Sequence, residues 1–204
     1  GGSAHLGCLG FVNAGLELAE QLRRESLPVP DLIYLPLGTV GTAAGLLLGI
    51  RLAGLSSRMV AVRVVRSDIA RPERFRRLTE ATGQLLDSPA SLEGELAEIR
   101  HEFLGPGYGR FTPEGVAAME TARRSLGLKL EGTYTGKAFA AILQDCRAGR
   151  LAGANVLFWN TYNSRPFPET VLAQDYRALP EPFHYYFEQP LQPLDPEFEG
   201  RSSE

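Results

Sequence analysis

The sequence is poor in lysine and cysteine. Only Lys129 and Lys137 are lysines among the 21 basic residues, so chemistry that needs a lysine depends on one of them or on a residue outside the chain. The two cysteines stand alone, without zinc-ligand spacing or a disulfide framework. This pattern favours a reducing compartment, and we expect a cytoplasmic protein with no metal site.

The sequence also has no long apolar run and no excess of positive charge. Its longest apolar stretch, residues 43–50, is far shorter than the roughly 20 residues that span a bilayer. A net charge of −3 gives no electrostatic reason to expect nucleic acid or an anionic membrane as partner. We therefore expect no nucleic acid, no membrane, and a globular protein.

Apolar periodicity predicts alternating strands and helices. Strands are expected over residues 32–35, 59–65 and 155–160, the last one buried, with a weaker strand over 99–104. Helices are expected over residues 10–24, 43–55, 72–86, 112–127 and 136–148, and a loop over 88–94. This order predicts an α/β fold with three layers, α/β/α, around a mostly parallel sheet.

The strongest local signal is a strand, a turn and a helix start over residues 32–55. The turn contains Gly38-Thr39-Val40-Gly41-Thr42, and a helix start offers unpaired N–H groups and partial positive charge to a phosphate. The segment is neither a Walker loop nor a dinucleotide fingerprint, because the required lysine and acidic residue are absent. A tight turn that binds nothing is the alternative. Further along the helix, Gly45 and Gly49 would let it lie close on the sheet.

Two further segments carry tyrosines at helix starts. Tyr108 lies between two glycines before Thr112-Pro113-Glu114, where its hydroxyl could reach a ligand or its ring could fill a loop. Tyr134 precedes Thr135, which could contact a ligand or serve as the helix N-cap.

Taken in order, these segments resemble the fold-type-II pyridoxal-phosphate (PLP) enzymes. More narrowly, they resemble the D-cysteine desulfhydrase and aminocyclopropane-carboxylate (ACC) deaminase family over about residues 1–165. The matching motifs are Gly1-Gly2-Ser3 with Leu6-Gly7, Gly38 to Gly45, Gly105 through Tyr108 to Gly115, and Tyr134-Thr135-Gly136-Lys137. The resemblance implies a tryptophan synthase beta-like fold, incomplete at its N-terminal side.

The resemblance also implies residue roles. The cofactor would be pyridoxal 5'-phosphate, its phosphate held by the turn from Gly38 through the N–H groups of Thr39, Val40, Gly41 and Thr42. Tyr108 and Tyr134 would be catalytic residues on the substrate side. A hydroxyl, from Thr135 or Thr161, would face the pyridine nitrogen.

Several positions depart from the family pattern. Val40 replaces a glycine and would restrict the phosphate turn, and Tyr162 replaces a glycine where it would crowd the ring or the substrate. Thr135 stands where the deaminase pattern has an acidic residue, which favours desulfhydrase-like β-elimination over ring-opening deamination. The family's covalent lysine lies upstream of Gly1, so we expect a C-terminal fragment that is inactive alone.

The expected organisation is a PLP-binding region at residues 1–180 and a C-terminal arm at 181–204. Residues 1–60 could include part of a second lobe. The intact protein would be a homodimeric lyase or deaminase acting on a small amino acid. The alternatives are a non-catalytic descendant that keeps a phosphate site and, less compatible with the motifs, a nucleotide-binding domain.

Overall fold

Four parallel strands form one sheet in the computed structural model, which describes residues 3–87, 97–189, 192 and 194. The strands are β1 (Leu32–Leu37), β2 (Arg58–Arg63), β3 (Glu98–Arg100) and β4 (Val156–Phe158), in the order β3-β2-β1-β4. In the register, Leu32 of β1 lies opposite Arg58 of β2 and Val156 of β4. The central strand β1 is buried along its whole length, as expected for a parallel strand covered on both faces.

Helices cover both faces of this sheet. The helices are α1 (His5–Arg24), α2 (Gly41–Leu52), α3 (Pro72–Gln84), α4 (Pro113–Leu126), α5 (Thr135–Arg147), α6 (Glu169–Leu172) and α7 (Tyr185–Glu188), with 3-10 turns at Tyr176–Ala178 and Glu181–Phe183. Side chains of β1 alternate between the faces. Ile33, Leu35 and Leu37 join the core beneath α1, α2 and α3, whereas Leu32 and Tyr34 join the core beneath α4 and α5. The predicted three-layer α/β/α fold is confirmed.

Some element boundaries and environments differ from the sequence prediction. Helix α1 begins at His5 rather than at residue 10, and Cys8 of this extra turn is fully buried against the core. Strand β4 is half-buried rather than buried, because it is the edge strand of the described sheet. The loop predicted for residues 88–94, Gly1 and Gly2 of the Gly-Gly-Ser motif, and most of residues 190–204 lie outside the described residues.

Between residues 167 and 189 the chain consists of short helical turns with exposed apolar side chains. Phe167, Leu172 and Tyr186 are among its exposed large residues. The tail contacts the body at Gln192, whose Oε1 accepts a hydrogen bond from Phe111 N at 3.1 Å. The predicted boundary between the PLP-binding region and the arm stays a prediction. Among the described residues, no helix combines the length and apolar character that crossing a bilayer requires.

A buried charged cluster fixes α5 to the sheet. The Asp145 carboxylate of α5 accepts hydrogen bonds from Tyr34 Oη of β1 at 2.7 Å and from Arg150 Nη1 at 2.8 Å. It also forms an ion pair with Arg100 of β3. Because a buried charge is stable only when it is paired and hydrogen-bonded, this cluster sets where α5 lies over β1.

Helices α1 and α2 touch through their backbones. A Cβ atom added to Gly45 would lie 2.3 Å from Cys8 O, and one added to Gly49 would lie 2.2 Å from Val12 O. From the other side, a Cβ atom at Gly15 would lie 2.8 Å from Gly49 Cα. The expectation that these glycines bring α2 close to the sheet is therefore wrong. They bring it close to α1.

We predict that Gly49→Ala lowers the free energy of unfolding by about 1–3 kcal/mol, because the added methyl group must push α1 away from α2. The matched control is Gly10→Ala on the exposed side of α1, where a Cβ atom meets nothing within 4 Å. The control should raise stability by about 0.5–1 kcal/mol, since alanine is the better helix former. Urea unfolding of the two variants would contradict the close contact if Gly49→Ala were as stable as Gly10→Ala.

Candidate cofactor and substrate site

The turn after β1 delivers the N-terminus of α2 to the carboxyl edge of the sheet. The first helical hydrogen bond of α2 runs from Ala44 N to Val40 O at 2.9 Å. The N–H groups of Gly41, Thr42 and Ala43 therefore have no acceptor inside the helix. Together with the helix dipole, they form a site suited to an anion. The sequence prediction named Gly41 and Thr42 but missed Ala43.

Val40 adopts a left-handed backbone conformation immediately before α2. Its φ is 67° and its ψ is −6°, a region that β-branched residues rarely occupy and that costs about 1–2 kcal/mol. Its side chain is 2% exposed and belongs to the core beneath α1, α2 and α3. Burial of a valine side chain contributes about 1.5–3 kcal/mol and offsets this strain. Val40 therefore restricts the backbone of this turn, and the burial of its side chain in the core holds the turn in this conformation.

A cavity of about 420 Å³ lies at this turn. It brings Gly38, Thr39, Val40, Gly41 and Thr42 together with both candidate tyrosines and with Thr161. The residues lining it are Ser3, Gly7, Phe11, Pro36, Leu37, Gly38, Thr39, Val40, Gly41, Thr42, Ala43, Val65, Ile69, Tyr108, Tyr134 and Thr161. Sequence reasoning gave no role to Ser3, whose hydroxyl hydrogen-bonds Thr39 Oγ1. Its position in the Gly-Gly-Ser motif was the available signal.

Tyr108 and Tyr134 form a hydroxyl pair beside the turn. Their Oη atoms are 2.7 Å apart, and their rings meet edge to face at a centroid distance of 5.9 Å. Tyr134 immediately precedes α5, and its ring lies 3.4 Å from where a Cβ atom of Gly38 would be. Tyr108 is 57% exposed. The pair therefore leads from the phosphate turn to solvent.

The Tyr134 phenol keeps its proton to high pH. Burial, then the hydrogen bond with Tyr108, then the nearby charges of Tyr108 and Glu131 raise the pKa of Tyr134 to about 12. Because the folded chain holds this proton more tightly than the unfolded chain, the phenol stabilises the fold below pH about 10. That contribution is lost as the pH rises toward 12. At neutral pH Tyr134 is a proton donor.

Thr135 does not reach the cavity. It is fully buried, and its Oγ1 accepts a hydrogen bond from Glu131 N at 3.0 Å. The Glu131 carboxylate accepts from the N–H groups of Thr133, Tyr134 and Thr135, each at 2.8 Å, and so caps the start of α5. Of the two hydroxyls proposed to face the pyridine nitrogen, only that of Thr161 lines the cavity. The capping role of Glu131 was missed, although an acidic residue before a helix start is a signal for it.

Tyr162 follows Thr161 but does not itself line the cavity. Its backbone N–H donates to Asn160 Oδ1 at 3.0 Å, and its side chain is not among the lining residues. The expectation that Tyr162 crowds the ring or substrate stays a prediction.

The comparisons with known proteins identify the family of the chain. The family model described as "Pyridoxal-phosphate dependent enzyme" matches residues 2–161, and the chain belongs to that family. Family membership implies pyridoxal 5'-phosphate as the cofactor, and the parallel three-layer fold is that of the fold-type-II members.

Two solved structures are similar to this chain. An ACC deaminase homologue matches with 27% identity and a TM-score of 0.66, over 78% of this chain and 46% of that one. A threonine deaminase from T.th. matches with 18% identity and a TM-score of 0.50, over 80% of this chain and 59% of that one, and shows the fold alone. The chain thus spans about half the length of these structures.

We predict that Tyr108→Phe lowers the pKa of Tyr134 from about 12, because the variant removes the hydrogen bond that helps to raise it. The measurement is the pH dependence of the ¹³Cζ signal of Tyr134 in tyrosine-labelled protein, assigned with Tyr134→Phe. Tyr185→Phe is the control, since Tyr185 is 56% exposed, like Tyr108, and lies on α7. An unchanged Tyr134 titration in Tyr108→Phe would show that the hydroxyl pair does not form.

Proposed function

We propose that this chain supplies the phosphate- and ring-binding part of a PLP-dependent lyase or deaminase that acts on a small amino acid. The observation that carries the proposal is one cavity that contains both the N-terminus of α2 and the Tyr108–Tyr134 pair. An anion site alone would fit many proteins. A pair of hydrogen-bonded phenol hydroxyls next to it fits chemistry on a molecule anchored there through its phosphate.

The residues of the turn fit a phosphate in charge and in donors. The N–H groups of Gly41, Thr42 and Ala43 would bind its oxygens, with the hydroxyls of Thr39 and Thr42 as further donors. Such a phosphate carries close to two negative charges at pH 7. None of the described residues that line the cavity is acidic, so no carboxylate opposes it.

The tyrosine pair would move the proton. Bound PLP supplies an electron-withdrawing ring that stabilises negative charge on the substrate carbon. Tyr134, protonated at neutral pH, can donate its proton to a leaving group at the inner end of the pair. Tyr108, exposed at the outer end, can return a proton from solvent to Tyr134.

Within this class, we favour β-elimination of the D-cysteine desulfhydrase kind over ring-opening deamination. Thr161 would face the pyridine nitrogen with a neutral hydroxyl and leave it unprotonated, which suits a reaction whose charge departs with the β-substituent. For D-cysteine the α-proton would pass to the covalent lysine, which we propose below comes from outside this chain, and a Cα=Cβ double bond would form as the Cβ–S bond breaks. Sulfur would leave as hydrogen sulfide with the proton from Tyr134. Water then releases the remaining fragment as pyruvate and ammonia. Thr135 no longer supports this choice directly, because its hydroxyl is bonded to Glu131.

Neither lysine of the chain lines the cavity in the described structure. We therefore propose that the lysine that binds the cofactor covalently comes from outside residues 1–204. We also propose that the complete protein is a cytoplasmic homodimer.

We predict that Thr42→Glu weakens the affinity for pyridoxal phosphate at least about tenfold, because its carboxylate repels the phosphate. Thr42→Gln is the matched control of equal size and should stay close to the parent. Both variants should fold, since Thr42 lies in the first turn of α2 and an acidic residue there is favourable to the helix. Calorimetric titration with pyridoxal phosphate and with pyridoxal measures the effect. Equal affinity of the parent for the two ligands would overturn the phosphate site.

We predict that Tyr134→Phe in the full-length protein lowers turnover by about 10²–10⁴-fold and changes cofactor affinity much less, because the variant removes a proton donor and no phosphate contact. The assay uses D-cysteine, D-serine and ACC, with pyruvate or 2-oxobutyrate as the measured product. Unchanged turnover would remove Tyr134 from the catalytic residues. Phosphate-dependent binding without turnover of any substrate would favour the alternative, a non-catalytic phosphate-binding descendant.

A further inference from the structure

Lys137 is a fully buried lysine whose ammonium group binds a loop rather than the cavity. Lys137 is the third residue of α5 and is 0% exposed. Its Nζ donates to Leu104 O at 2.8 Å and lies 3.4 Å from Gly107 O. Both carbonyls belong to the glycine-rich turn that carries Tyr108.

This turn has little structure of its own to hold Tyr108. Gly105 and Gly109 have positive φ values of 64° and 73°, so the backbone follows a path that other residues would resist. The hydrogen bond within the turn, from Arg110 N to Gly107 O, is long at 3.3 Å. On its outer side the turn is bonded by Gln192, whose Nε2 donates to Gly109 O. On its inner side the bonds come from Lys137.

The start of α5 therefore carries two linked features. Tyr134 immediately precedes the helix and supplies one hydroxyl of the pair directly. Lys137, three residues later, holds the carbonyls on either side of Gly105 and Pro106, just before Tyr108. We propose that Lys137 is a positioning residue. By binding the Leu104 and Gly107 carbonyls, it holds the Tyr108 hydroxyl within hydrogen-bond distance of the Tyr134 hydroxyl. The inference rests on the proposed function only in treating this pair as the proton carrier.

A lysine at position 137 is unfavourable for the stability of the fold in two other respects, which indicates that its hydrogen bonds compensate. A cation in the first turn of a helix opposes the helix dipole, and burial lowers the pKa of Lys137. The negative charge of Glu131 acts in the opposite direction and favours the ammonium form. An apolar side chain of similar length, such as methionine, would avoid the burial of charge but could not donate to the two carbonyls.

The test compares Lys137→Met with Lys129→Met, which changes the other lysine of the chain, an exposed one. The first readout is the pH titration of the Tyr134 ¹³Cζ signal in protein without cofactor. We expect Lys137→Met to lower the pKa of Tyr134 as far as Tyr108→Phe does, and Lys129→Met to leave it unchanged. The second readout is amide hydrogen exchange, which should quicken about tenfold in residues 105–110 and stay unchanged in residues 38–43. A parent-like Tyr134 titration in Lys137→Met would overturn the inference.

Rescue separates positioning from a general loss of packing. Lys137→Cys is made with Cys8→Ala and Cys146→Ser, alkylated with 2-bromoethylamine while unfolded, and refolded. The resulting side chain restores an ammonium at the lysine position, so the Tyr134 titration should return to that of the same background with Lys137 intact. A restored fold without restored titration would count against the inference.

If Lys137→Met does not fold, a measurement on the parent protein still tests the inference. Its Lys137 Nζ–H protons should exchange with water far more slowly than those of Lys129, and equal rates would overturn the inference. None of these measurements uses the cofactor. A failure of pyridoxal-phosphate binding would therefore contradict the proposed function but would not affect this test of Lys137.

Discussion

The backbone contact between α1 and α2 decides where the proposed cofactor site can form. Gly15, Gly45 and Gly49 let the two helix axes approach until carbonyl oxygens of α1 occupy the space of missing side chains. This contact fixes the axis of α2 and with it the direction of its N-terminal N–H groups. It also brings the start of α1 to the turn, where Ser3 reaches Thr39. Three glycines that do not line the cavity thus orient the proposed phosphate site.

The strand order explains why both halves of the site meet at one place. The chain passes from β1 to β2 and β3 on one side of the sheet and then returns to place β4 on the other side of β1. The helix after β1 lies on one face, and the helix before β4 lies on the opposite face. Such a reversal opens a crevice at the carboxyl ends of β1 and β4. The phosphate turn follows β1, and Thr161 follows β4, so both reach that crevice.

Local signals in the sequence predicted those parts of the structure that depend on local chemistry. A helix was predicted over residues 112–127. Thr112 caps α4, accepting a hydrogen bond from Gly115 N at 3.1 Å, and Gly127 ends the helix with a φ of 65°. The apolar run of β1 and the glycines after it predicted a strand and a helix start, because burial and turn conformation act over a few residues.

Features that depend on a distant neighbour could not be predicted in this way. The glycine stripe of α2 indicates a close contact but not with which element, and the contact is with α1 rather than the sheet. Thr135 has the same pattern whether it caps a helix or faces a ligand, and in the structure it does neither. It is the first residue of α5, and its side chain and N–H group bond Glu131. The half-buried state of β4 depends on its place at the sheet edge, which the order of elements along the chain does not specify.

Two residues are locally unfavourable, Val40 in the turn before α2 and Lys137 beneath the loop that carries Tyr108, and different interactions compensate for each. Val40 occupies a left-handed conformation that only its burial in the core compensates. Lys137 keeps a buried charge that only hydrogen bonds and Glu131 compensate. The compensation at Val40 comes from apolar burial and does not depend on pH, so the phosphate turn keeps its conformation as long as the core is folded. The compensation at Lys137 is polar, so the geometry of the tyrosine pair depends on an ammonium group and can change while the phosphate turn does not. The proposed anchoring and proton-carrying parts of the site are therefore separable, and a substitution can damage one and spare the other.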